Sequence, residues 1–207
     1  KKNISRLNQF YKNLGYFDVE TNFEITELKP KNQEIKYKVN LKEVYIIEDY
    51  VEEIKSNELK DMFLFNIDQS FIKSGSSFSI ERIEKERDRL IKLFRNNGVY
   101  NFQQNSVQFL AKIDSSGIDK RINVVLEINS IQKRINDTLK TIPYKKFKID
   151  EINIFIESLA NNDLNYNYKS YYKGFIINSK EKLKYRNKAI TDPIFIKKGE
   201  LYSDNDR

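Results

Sequence analysis

Apolar residues recur along this chain in two rhythms, one of period near 3.6 and one of period 2. Leu59, Met62, Phe63, Ile67 and Phe71 follow one another at spacings of three and four, which predicts an amphipathic helix. Ile83, Leu90, Ile91 and Phe94 form a second stripe, and Glu81, Glu84, Lys85, Asp88 and Lys92 occupy its polar side. Val107, Phe109, Ala111 and Ile113 then alternate with polar residues, as do Ile122, Val124, Leu126 and Ile128. That pattern predicts two half-buried strands joined by a turn at Asp114-Ser115-Ser116-Gly117. A first strand is read over 45–54. Gly75 closes the first helical segment, Ser79 is placed to cap the second helix with Glu81 in its first turn, and Gly98 stops it. Tyr100 and Phe102 fall out of phase with Val107, so a bulge is expected between them.

The order is strand, helix, helix, strand, strand. Three short strands need a cover, and two amphipathic helices on one face provide it. The fold class is therefore α+β, a module of about 90 residues with two helices packed on a three-stranded mixed sheet.

Parts of this module occur more than once. The run Ser5 to Phe17 matches Asp88 to Tyr100 without a gap, at an offset of 83 positions. Tyr45-Ile46-Ile47-Glu48-Asp49-Tyr50 matches Phe147-Lys148-Ile149-Asp150-Glu151-Ile152. Ile72-Lys73-Ser74-Gly75-Ser76-Ser77-Phe78-Ser79 matches Ile196-Lys197-Lys198-Gly199-Glu200-Leu201-Tyr202-Ser203. The chain accordingly divides into 1–43, the back half of a module; 44–131, a complete module; 132–146, a linker; and 147–207, the front of a further module. In the first part a helix is read over 1–14 and strands over 19–25 and 35–41, with Pro30 in the turn. In the last part a long connection carries Tyr166, Tyr168, Tyr171 and Tyr172, and Pro193 falls where a helix should finish. Both ends are read as cutting through a repeat, so a piece of a longer protein is expected.

Composition narrows the chemistry. The chain has no cysteine and no histidine, which excludes thiolate metal sites and the commonest general base. No stretch reaches the roughly 20 apolar residues of a membrane helix, and the N-terminus has no signal-peptide pattern. The formal charge of +7 invites a nucleic-acid or anionic-membrane partner. Yet Lys36, Lys38, Lys112, Lys169 and Lys184 are scattered among acids, which reads as compositional drift. Glu81, Glu84, Glu86 and Asp88 could pass for an acid–base or metal cluster. Arg82, Lys85, Arg87 and Arg89 surround them, so ordinary i,i+4 pairing along the helix is the expected use. No catalytic residue, cofactor site or metal site is expected, and no enzyme.

The helix ending Phe10-Tyr11-Lys12-Asn13-Leu14-Gly15-Tyr16-Phe17 resembles the POTRA modules of the BamA/TamA outer-membrane assembly family. So do the run from Glu86-Arg87-Asp88-Arg89-Leu90 to Asn97-Gly98-Val99-Tyr100-Asn101-Phe102 and the loop Ile196 to Ser203. The Glu86-Arg87 helix with its ending Asn97-Gly98-Val99-Tyr100-Asn101-Phe102 is most similar to the TamA-like branch. POTRA modules also occur in two-partner secretion transporters, and a basic nucleic-acid-binding repeat protein is the rival class. The resemblance implies a periplasmic arm at the outer membrane of a Gram-negative bacterium. Such an arm receives unfolded outer-membrane proteins or accessory lipoprotein subunits and passes clients to a C-terminal β-barrel. It also implies an exposed strand at Ser106, Val107, Gln108, Phe109, Leu110, Ala111, Lys112 and Ile113, to which an extended client could add.

Overall fold

The computed structural model describes residues 2–29, 32–113, 119–156 and 165–206. They divide into two units, Lys1–Leu90 with Gln103–Pro143, and Ile91–Phe102 with Tyr144–Arg207. The turns expected at Pro30 and at 114–117 lie outside the described residues.

In the first unit α1 (Lys2–Asn13) leads to an antiparallel pair, β1 (Glu20–Lys29) and β2 (Asn32–Asn40). The complete module follows as β3 (Ile46–Ile54), α2 (Asn57–Phe65), α3 (Ile80–Arg95), β4 (Val107–Ile113) and β5 (Arg121–Ile128). Its sheet runs β3-β5-β4, with β5 parallel to β3 and antiparallel to β4. Connectivity accounts for this mixture: successive β4 and β5 pair antiparallel, whereas β3 returns through two helices and pairs parallel. Tyr45, Ile47, Ile72, Phe78, Ile83, Ile122 and Val124 form one buried cluster between sheet and helices, with Phe17, Tyr50 and Phe109 packed against it. The architecture is α+β.

Three local expectations are corrected. The first helix ends at Phe65, short of its apolar stripe. Asn66 turns its side chain back, donating from Nδ2 to the Met62 carbonyl at 2.9 Å, and a 3₁₀ turn at Ile67–Gln69 follows. Ile67 and Phe71 are consequently 37% and 47% exposed and contribute little to the core. Between Phe102 and Val107 there is no bulge but a second 3₁₀ turn, Gln104–Ser106. Segment 132–146, read as a linker, carries most of a hairpin, β6 (Ile131–Ile135) with β7 (Thr138–Ile142). Its two-residue turn has φ of 46° at Asn136 and 59° at Asp137, the double positive φ of a type I′ hairpin.

The second unit contains β8 (Ile152–Ile156), β9 (Tyr168–Tyr172), β10 (Phe175–Ser179) and the short α4 (Asn187–Thr191). Order and direction repeat the first sheet: β8-β10-β9, with β10 parallel to β8 and antiparallel to β9. The chain reaches that pattern differently. Here the second and third strands precede the helix, so the Tyr-bearing segment, read as a long connection, supplies sheet. Pro193 lies two residues beyond the end of α4 and cannot continue it.

Candidate functional site

Seven of the eight residues predicted for the open strand form β4, and Ser106 belongs to the turn before it. The Gln103 N–H donates to Ser106 Oγ at 3.2 Å and so fixes where the strand begins. Val107 is buried. Phe109 is half-buried, with the Arg87 guanidinium 5.5 Å over its ring. Gln108, Leu110, Ala111, Lys112 and Ile113 are exposed, Leu110 at 41% and Ile113 at 43%. The ladder to β5 runs unbroken from Val107↔Ile128 to Ile113↔Ile122. Among the described residues β4 pairs with no other strand, so alternate residues turn both N–H and C=O outward.

The opposite edge of the same sheet is guarded. β3 is bulged between Ile47 and Tyr50 and carries Glu48, Asp49, Glu52 and Glu53. Bulges and charges are the usual means by which a sheet edge avoids unwanted pairing. β4 has neither a bulge nor a proline, and its one charge is Lys112. A recess of about 570 Å³ lined by Arg87, Gln103, Gln104, Asn105 and Val107 lies at its N-terminal end.

The sequence repeats build a joint, once in each unit. In the first, Tyr45 donates its N–H to the Gly15 carbonyl at 2.9 Å and accepts from the Phe78 N–H at 2.9 Å. Ile47 donates to the Ser76 carbonyl at 2.8 Å and accepts from the Gly75 N–H at 2.7 Å. In the second, Phe147 donates to the Gly98 carbonyl at 2.8 Å and accepts from Tyr202 at 3.0 Å. Ile149 donates to the Glu200 carbonyl at 2.8 Å and accepts from Gly199 at 2.7 Å. The aromatic rings repeat as well: Phe17 lies 5.1 Å from Tyr45 and 5.2 Å from Phe78, and Tyr100 lies 4.9 Å from Phe147 and 5.9 Å from Tyr202. The three repeated segments, at three different offsets, are therefore the three sides of one joint.

Glycine is required in this joint. Gly15 has φ +95°, and a Cβ there would lie 2.7 Å from the Phe78 carbonyl oxygen; Gly98 has φ +100°, with Leu201 and Lys146 at 3.1 and 3.2 Å. Each joint adds its own ion pair. Asp18 meets Lys120 at 2.8 Å and the Tyr45 hydroxyl at 3.2 Å, and the Lys120 contact holds its carboxyl below the ordinary range. Arg95 grips Asp204 with two nitrogens and donates to the Phe102 carbonyl at 3.1 Å.

Of the four clustered carboxylates, Glu81 and Glu84 pair with Lys85 and Arg87 at the surface as expected. Glu86 pairs along the helix too, with Arg89, but it is fully buried. Arg89 donates to both of its oxygens, the Phe71 N–H donates to Oε2 at 3.0 Å, and the Tyr50 hydroxyl lies 3.4 Å from Oε1. Burial, with Glu86 beside it, pushes the Tyr50 phenol well above its ordinary range, so it stays a neutral donor. A carboxylate so surrounded by donors has few lone pairs left to coordinate a metal. No group of metal-ligating side chains occurs among the described residues.

No family model and no curated relative matches the chain. Solved structures do. The chain is similar to BamA POTRA modules. The crystal structure of Haemophilus influenzae BamA POTRA3-5 is 12% identical with a TM-score of 0.43, over 99% of this chain and 63% of that one. BamA from Haemophilus ducreyi lacking POTRA domains 1-3 is 12% identical with a TM-score of 0.39, over 62% of this chain and 22% of that one. POTRA1-3 of the periplasmic domain of Omp85 from Anabaena is 14% identical with a TM-score of 0.34, over 61% and 48%. The chain thus spans less than two thirds of each of these structures.

Proposed function

We propose that this chain is the POTRA region of an outer-membrane assembly factor of the BamA/TamA kind, and that it binds clients through β4. In this reading it works at the periplasmic face of a Gram-negative outer membrane. It takes up unfolded outer-membrane proteins or accessory lipoprotein subunits and hands clients to a C-terminal β-barrel. The reading favours the TamA-like branch, which the Glu86-Arg87 helix and its ending Asn97-Gly98-Val99-Tyr100-Asn101-Phe102 resemble. Binding, not catalysis, is the proposed role.

The observation that carries the reading is the contrast between the two edges of the β3-β5-β4 sheet. Backbone pairing at an unguarded edge recognises extended chain with little regard to sequence, which suits a factor with many clients. The exposed Leu110 and Ile113 add apolar contact for alternate side chains of an incoming strand.

Site-specific photo-crosslinking in the full-length protein tests this. A crosslinker placed in turn at Gln108, Leu110 and Lys112 should capture nascent outer-membrane proteins, and one at Glu48 or Glu52 should not. Equal capture from both edges would remove β4 from the account.

A further inference from the structure

We propose that the second unit carries a phosphate-binding recess between β9 and α4, taking the phosphate of an anionic lipid headgroup or of a free phosphate ester. The inference does not depend on the client role of β4. A cavity of about 560 Å³ is lined there by Tyr168, Ser170, Tyr172, Lys182, Arg186 and Lys188, with no acid among the described residues of its wall. None of these three cations is paired with a carboxylate among the described residues. From Tyr168 to Lys188 seven lysines and arginines stand against one acid, Glu181.

A second observation points to a ligand. The Ser170 Oγ is buried and has no hydrogen-bond partner among the described residues, which is unusual for a hydroxyl in a folded protein. It is held in place by the β9–β10 ladder, where Ser170 pairs with Ile177, which is itself buried. The donors suit a tetrahedral oxyanion. Arg186 has the planar fork that grips two phosphate oxygens, Lys182 and Lys188 supply point charges, and Ser170 supplies a hydroxyl. Tyr168 and Tyr185 are 50% and 71% exposed at the rim, amphipathic rings of the kind found where protein meets a lipid interface. An open recess of this size accepts one such group, whereas a nucleic-acid strand calls for a continuous groove with successive stacking platforms.

The test titrates the chain with inorganic phosphate while following its backbone amides. In parallel it sediments the chain with phosphatidylglycerol-containing and with pure phosphatidylcholine vesicles. Saturable shifts at Ser170 and along 182–188 are expected. Lys182→Gln with Arg186→Gln should weaken phosphate binding about tenfold or more. Ser170→Ala, which changes no charge, should weaken it about fivefold. Lys133→Gln with Lys140→Gln removes the same charge elsewhere and should leave binding intact. Retention on the anionic vesicles alone assigns the headgroup; saturable phosphate binding without vesicle retention assigns a soluble ester. Equal losses in the recess and control pairs would overturn the proposal in favour of a diffuse field. So would an unaffected Ser170→Ala variant, or tighter binding of short oligothymidylate at the same amides.

Discussion

Glu86 and Arg89, three residues apart on α3, are joined by a two-point contact of 2.9 and 2.7 Å with Glu86 wholly buried. Through them the end of α2, the Phe71 backbone and Tyr50 on β3 are tied to α3, because Arg89 also donates to the Asn66 carbonyl at 3.3 Å. Removing one partner leaves a charge in the interior without its counter-charge. Glu86→Ala should therefore cost about 3–5 kcal/mol of unfolding free energy. Urea denaturation measures it, and a loss below about 1 kcal/mol would mean that water replaces the carboxylate.

Joint geometry predicts a ranking. Gly15→Ala combines an unfavourable φ with a backbone oxygen at 2.7 Å, whereas Gly98→Ala combines one with the looser contacts of Leu201 Cδ2, Lys146 Cβ and the Phe147 nitrogen at 3.1, 3.2 and 3.3 Å. Gly15→Ala should destabilise its unit by about 2 kcal/mol or more, and Gly98→Ala by about 1 kcal/mol. Hydrogen exchange at Tyr45 and Phe147, the amides held by these two carbonyls, should report the loss locally in each variant. Equal effects would show that φ strain alone decides.

The Asp18–Lys120 contact has a definite pH sign. Asp18 is held below its ordinary value of 3.8 by the Lys120 hydrogen bond, so its contribution is present above that value and fades as pH falls through the lower, folded one. Both side chains are partly solvated, which keeps the effect small. Asp18→Asn should lower the thermal midpoint slightly at neutral pH, and the difference from the parent should shrink in strongly acidic buffer. A difference that grows on acidification would reverse the assignment.

Most of the complete module was legible because its stripes are regular. β4 and β5 alternate over at least seven positions, and the Gly98 stop leaves little choice of boundary. The joint was legible only as three unexplained similarities, since nothing in sequence says that segments at different offsets meet. The pairing of Glu86 was legible but its burial was not, although position 86 lies on the same helical face as Ile83, Leu90 and Phe94. A carboxylate on a core face signals a buried partner, and Arg89 was that partner. The β6–β7 hairpin escaped because Ile131, Ile135, Leu139 and Ile142 mimic helical spacing. The Asn136-Asp137 pair was the clue that outweighed it. At β9 the tyrosines hid an ordinary hairpin closed by Lys173-Gly174, both at positive φ.

The central claim is that an extended client adds to β4. Amide hydrogen exchange across the sheet, with and without a peptide copied from an outer-membrane β-strand, tests it most directly. New protection should appear at every second amide between Val107 and Ile113, with β3 unchanged. Proline placed at those same outward-facing positions should abolish it while the ladder to β5 survives. Protection at β3 or β9 instead, or none on β4 at saturating peptide, would contradict the account.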